Sequence, residues 1–106
     1  ALGRKEAMAH QYGNMGILYK DQGKLEQSLA MYRKALALHK TTESQIGIAN
    51  DYANIGVIFR QQGEPDQARQ FWEKAQALYN KAGAQREMTE VQEWLQSLPE
   101  QAASLS

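Results

Sequence analysis

The chain has 106 residues, enough for one domain with a real core or for a short stack of small units. Twelve basic and twelve acidic side chains cancel, so no overall field draws it to nucleic acid or an anionic membrane, and the lack of cysteine excludes disulfides, thiolate metal sites and cysteine nucleophiles. No apolar run approaches the roughly 18 residues of a membrane span, and "ALGRKEAMAH" lacks the apolar centre of a secretion signal, so a cytoplasmic protein is expected. The chain begins at Ala1 already in a helical rhythm, and a segment of a longer polypeptide is expected.

β-branched residues are few and nowhere alternate with polar ones, whereas apolar residues recur at three and four: Met8, Tyr12, Met15, Tyr19, then Leu25, Leu29, Tyr32, Leu36. An all-α chain follows. The first helix is expected over 4–22, ending at Gly23 in "DQGK", since glycine accepts the left-handed backbone just past a helix end. The second runs over 24–40. Thr42 and Gln45 have the spacing of a capping box and open a third helix over 43–62, which stops at Gly63 in "QQGE". Pro65 stands where the first turn of a fourth helix, 64–82, has amide hydrogens to spare. Gly83 repeats the stop, and a fifth helix over 85–98 ends before Pro99.

Two of these helix pairs are copies of one another. Residues 9–40 laid over 49–80 give eleven identities, among them Tyr12/Tyr52, Asn14/Asn54, Gly16/Gly56, Gly23/Gly63 and Ala35/Ala75. Chance gives about two or three for this composition. Gly16 and Gly56 fall mid-helix, where glycine costs about 1 kcal/mol against alanine, so another helix is expected to need that space. Ser28/Ala68 and Ala35/Ala75 are the small positions of the second helix, and Tyr12/Tyr52, Tyr19/Phe59 and Tyr32/Trp72 are the large ones that fill the gaps.

Counted from Ala9 and Ala49, an aromatic at the fourth place, an apolar residue at the seventh and Gly at the eighth resemble the tetratricopeptide repeat. So do an aromatic at the eleventh, a small residue at the twentieth, an aromatic at the twenty-fourth and Ala at the twenty-seventh. The period of 40 exceeds the family's usual 34, about 9 Å of extra helix per unit, and is similar to the extended repeats of the kinesin light chain type, where "NMG" and "NIG" stand for Asn-Leu-Gly. The usual proline near the thirty-second place is Lys40 and Asn80 here. The resemblance implies a right-handed antiparallel helix-turn-helix stack, an α-solenoid, over residues 1–98: repeat 1 at about 4–42, repeat 2 at about 43–82 and a capping helix at 85–98. Residues 99–106 are expected as a flexible tail. The fifth helix places Met88, Val91, Leu95 and Leu98 on one stripe but has no small notch for a following unit, which suits a cap.

In such arrays the first helix of each unit lines a concave face, and the strip that falls there is His10, Asn14, Ile17, Asp21 and Asn50, Asn54, Val57, Gln61, with Lys20 and Arg60 one step off it. An amide both donates and accepts, so Asn14 and Asn54 suit the main chain of a bound segment, and the resemblance implies that asparagine at this place holds it. The basic pair suits a ligand with an acidic residue. His10 and His39 read as far apart in the repeat, His39 and Glu43 share only the common helical spacing, no serine has a base, and no glycine loop cradles phosphate. No metal site, no cofactor and no catalysis are expected. The function expected is therefore a protein-protein interaction module with a peptide or protein partner, without nucleic acid or membrane. The alternatives are a purely structural repeat spacer and, behind it, an RNA-binding helical repeat. The first helix keeps the large apolar residues of an internal unit, and dimerisation through that end is expected.

Overall fold

The computed structural model describes residues 2–99, and all the regular structure among them is helical. Helix α1 is Leu2–Asp21, α2 Leu25–Thr41, α3 Gln45–Gln61, α4 Pro65–Ala82 and α5 Gln85–Ser97, bounds that differ from the expected ones by at most two residues. Each helix packs on its neighbours in the chain, giving an all-α helical-repeat stack of 51 × 33 × 20 Å. The expected tail lies outside the described residues, Pro99 excepted.

All four junctions close in the same way. The amides of Lys24, Ser44, Glu64 and Ala84 each bond a carbonyl five residues back, at Tyr19, His39, Phe59 and Tyr79, over 2.8–3.0 Å. This ring forces the residue before each amide into the left-handed region. Gly23, Gly63 and Gly83 take it at φ of 76 to 79°, and at the junction without glycine Glu43 takes it at φ 56°. That junction also corrects the expected cap. Thr42 does not open α3 with Gln45: it ends α2 in the right-handed conformation, and Ser44 is the cap, its hydroxyl accepting from the Gly47 amide at 3.2 Å. Glu43's turn lies between Thr42 and α3, which puts the Thr42 hydroxyl out of reach of the new helix and free to donate to Glu6 Oε1 at 2.5 Å.

Helices pair by lodging a ring against a glycine. A Cβ built on Gly16 would stand 2.6 Å from Cε1 of Tyr32, and one on Gly56 only 2.4 Å from Nε1 of Trp72, so both notches are filled to contact. Polar bonds fasten them. The Ser28 hydroxyl donates to the Gly16 carbonyl at 2.6 Å, and the Trp72 indole donates to the Ala53 carbonyl at 2.9 Å. Ser28, Ala35, Ala68 and Ala75 are fully buried, as the small places between the rings require.

The core runs from Tyr32 through Ala49, Ile55, Ile58 and Trp72 to Val91 and is widest around α3 and α4, where Phe59 stacks on Phe71 at 5.4 Å. Helix α5 buries Val91 and sets Trp94 against Trp72, ring centroids 5.3 Å apart. Helix α1 is covered on one side by α2. Its Met8, Met15 and Leu18 stay 37%, 40% and 57% exposed, since no helix lies on their side among the described residues.

The notch geometry separates two neighbouring glycines of α1. A Cβ on Gly13 would meet nothing within 4 Å, whereas one on Gly16 would strike Tyr32. Gly13→Ala is expected to raise stability by about 1 kcal/mol through helix propensity alone. Gly16→Ala is expected to lower it by about 1–3 kcal/mol through overpacking. Urea unfolding followed by helical circular dichroism checks both, and shifts of the same sign would contradict the packing described.

Candidate functional site

The first helices of the two pairs, α1 and α3, lie side by side over the end of α2 and leave a hollow of about 370 Å³ between them. Of the residues expected on a concave strip, His10, Asn14, Ile17, Asn50 and Asn54 line it. Asp21, Val57, Arg60 and Gln61 do not. Asp21 and Gln61 are the last residues of their helices and face solvent, Val57 packs half-buried against the core, and the Arg60 guanidinium lies over the Trp72 ring, 5.3 Å from its centroid. The hollow is lined from Glu6 to Ile17 of α1 and from Ile46 to Asn54 of α3, so a strip drawn along the whole of both helices runs off it toward their C-terminal ends.

Asn50 and Asn54 also face a second hollow of about 310 Å³, toward α5, lined by Tyr79, Glu87, Glu90 and Trp94. Asn50 is engaged there, its side-chain carbonyl accepting from the Tyr79 hydroxyl. Burial, with Glu87 and Glu90 nearby, pushes that hydroxyl up to about 12, so it keeps its proton as a donor at neutral pH. Among the described residues no comparable bond ties the amides of Asn14 or Asn54.

The floor of the first hollow is polar. His39 is buried, and its Nδ1 lies 2.6 Å from Asp51 Oδ2, also buried. Burial pushes the Asp51 carboxyl up to about 6 against the pull of the His39 hydrogen bond. On the other side of the ring, Nε2 lies 3.8 Å from Glu6 Oε2. His10 presents its ring edge-on, with centroids 6.4 Å apart. One sequence expectation is corrected by this arrangement. His10 and His39 are not far apart, because the hairpin through Gly23 folds α2 back along α1 and sets His39 between Glu6 and His10. The acidic partner of His39 comes from the next helix: Asp51 of α3 takes the imidazole, while Glu43 sits in the left-handed turn between the helices.

The ring also explains a third glycine. A Cβ at Gly47 would stand 2.4 Å from His39 Cδ2, so α3 can pass over the imidazole only with glycine there. One donor atom each from Glu6, His10 and His39 fall within 4.8 Å of one another. The signal available in the sequence was the spacing of Glu6 and His10, four apart on one helix face. His39 joins that pair only across the Gly23 turn, which helical spacing within one helix does not reveal.

No helix among the described residues is long and apolar enough to cross a membrane. Among curated proteins none matches the chain. The family model of the tetratricopeptide repeat matches residues 6–82, which spans both helix pairs and most of the chain. Repeats of this kind are non-catalytic scaffolds that generally mediate contacts between proteins. With its ring-in-glycine notches at Gly16 and Gly56 and that match across α1 to α4, the chain belongs to the tetratricopeptide repeat family.

Proposed function

We propose that the chain binds an extended segment of a partner protein across the hollow between α1 and α3, with the amides of Asn14 and Asn54 holding the segment's main chain. The observation that carries this reading is that both amides line one hollow and have no side-chain hydrogen-bond partner among the described residues, whereas Asn50 is occupied by Tyr79. Asn14 stands on the α1 wall of the hollow and Asn54 on the α3 wall, so the two amides can pair with different backbone groups of one extended segment. Ile17 and Ile46, 44% and 41% exposed, supply apolar contact on the same lining. Arg60 lies over Trp72, which leaves Lys20, three residues beyond Ile17 on α1, as the basic residue that an acidic residue of the segment would suit.

A second reading concerns self-association. Met8, Met15 and Leu18 are exposed on α1, and a second copy of the chain covering them would remove that apolar surface from water. Sedimentation over a concentration series is expected to show a dimer that Met15→Lys with Leu18→Lys dissociates. A monomer at every concentration would end this reading.

For the groove, peptides panned from a random library on the purified chain supply the probe, with EDTA present throughout. The double variant Asn14→Ala, Asn54→Ala is expected to bind them about 1–3 kcal/mol more weakly, one modest hydrogen bond lost at each place, with its unfolding midpoint little changed. Equal affinity in titration calorimetry, or failure to recover any binding peptide, would refute the role of the groove.

A further inference from the structure

We propose that Glu6, His10 and His39 form a binding site for a divalent transition-metal ion of zinc type, with Asp51 and Thr42 orienting two of the ligands from behind. The donor set is mixed nitrogen and oxygen, two imidazoles and one carboxylate, which suits zinc, nickel, cobalt or copper and not the all-oxygen preference of magnesium or calcium. Glu6 and His10 stand one helical turn apart on the same face of α1, and His39 meets them from α2.

Two of the three ligands are already aimed. With its Nδ1 proton donated to Asp51 Oδ2 at 2.6 Å, His39 presents the lone pair of Nε2 toward Glu6 and His10. This is the carboxylate-imidazole arrangement that fixes tautomer and raises ligand basicity at metal sites. Glu6 is held through its other oxygen, Oε1 accepting from the Thr42 hydroxyl at 2.5 Å, which turns Oε2 to face His39 at 3.8 Å. Bonds of about 2.0–2.1 Å at tetrahedral angles set donors about 3.3 Å apart. The Glu6 and His39 atoms are near that spacing, and His10, exposed at the rim, completes it by a side-chain rotation.

Burial of His39 alone is satisfied by Asp51. It does not account for a second carboxylate held at the opposite nitrogen or for a second imidazole beside it. The cluster opens into the hollow lined by Asn14 and Ile17, so a fourth position is left for water or for a donor on a bound molecule. The inference does not rest on peptide binding, which is tested separately in EDTA.

The chain has only two histidines and no cysteine, and both histidines are in this cluster, so imidazole-dependent binding reports on this site and no other. The test is titration calorimetry of the untagged protein with zinc, with magnesium as the control ion. One zinc per chain and no magnesium are expected. His10→Ala, at an exposed position that leaves folding intact, and Glu6→Gln are each expected to weaken zinc at least tenfold. Asp51→Asn is expected to weaken it 10–100-fold through the lost orientation of His39. Cobalt substituted for zinc is expected to show the intense visible bands of a low-coordinate site, lost in His10→Ala. A wild-type chain without zinc affinity would mean that His39 serves only as an ion-paired bridge between Asp51 and Glu6, and would overturn the proposal. So would unchanged affinity in His10→Ala, or half an ion per chain, which would place the metal between molecules.

Discussion

A flat ring pressed against a glycine of the neighbouring helix is the contact on which the rest of this structure depends. Tyr32 against Gly16, Trp72 against Gly56 and His39 against Gly47 repeat it three times, each so close that a single added carbon would stand 2.4–2.6 Å from the ring. Glycine inside a helix costs about 1 kcal/mol relative to alanine. Burying a large side chain such as Trp72 returns about 1.5–3 kcal/mol, before its indole bond to Ala53 is counted, so the exchange favours the notch. The same closeness fixes the register of the helices, because a ring fits only where its glycine is.

The hollow inherits its shape from this register. With α2 drawn close to α1 by Tyr32 and close to α3 by His39, α1 and α3 become neighbours that touch little directly, and the space between them is walled by the small residues Ala9, Gly13 and Gly47. Side chains at its edge then differ in freedom. Asn50 is tied to Tyr79, Arg60 is spent over Trp72, and Asn14 and Asn54 are left to face the opening. His39 has two tasks in one place, since the ring that spaces α2 from α3 also carries the nitrogen that points at Glu6.

Much of the fold was legible because it is written twice. The forty-residue period, the glycine stops and the large-small alternation are local or self-similar, and each has one physical meaning in a helix. What escaped reading was set across the turns. Ser44 and not Thr42 caps α3 because Glu43 accepts a left-handed backbone that its residue type disfavours, and no pattern announces such a tolerated cost. The contacts of His39 with Asp51 and Glu6 join three helices and appear only when residues are counted through both hairpins. Helical spacing alone puts Asp21 and Gln61 on the strip, and it says nothing of where along the axis the hollow ends.

The most direct test of the notch as the organising contact is a double-mutant cycle of Gly56→Ala with Trp72→Leu, read as unfolding free energies in urea. If the ring requires the glycine, Gly56→Ala destabilises the wild-type chain by about 1–3 kcal/mol, yet in the Trp72→Leu background it becomes neutral or stabilising by up to about 1 kcal/mol, because the helix keeps its propensity gain without the clash. A cost for Gly56→Ala that is the same in both backgrounds would show that glycine and ring act independently, and would contradict the account.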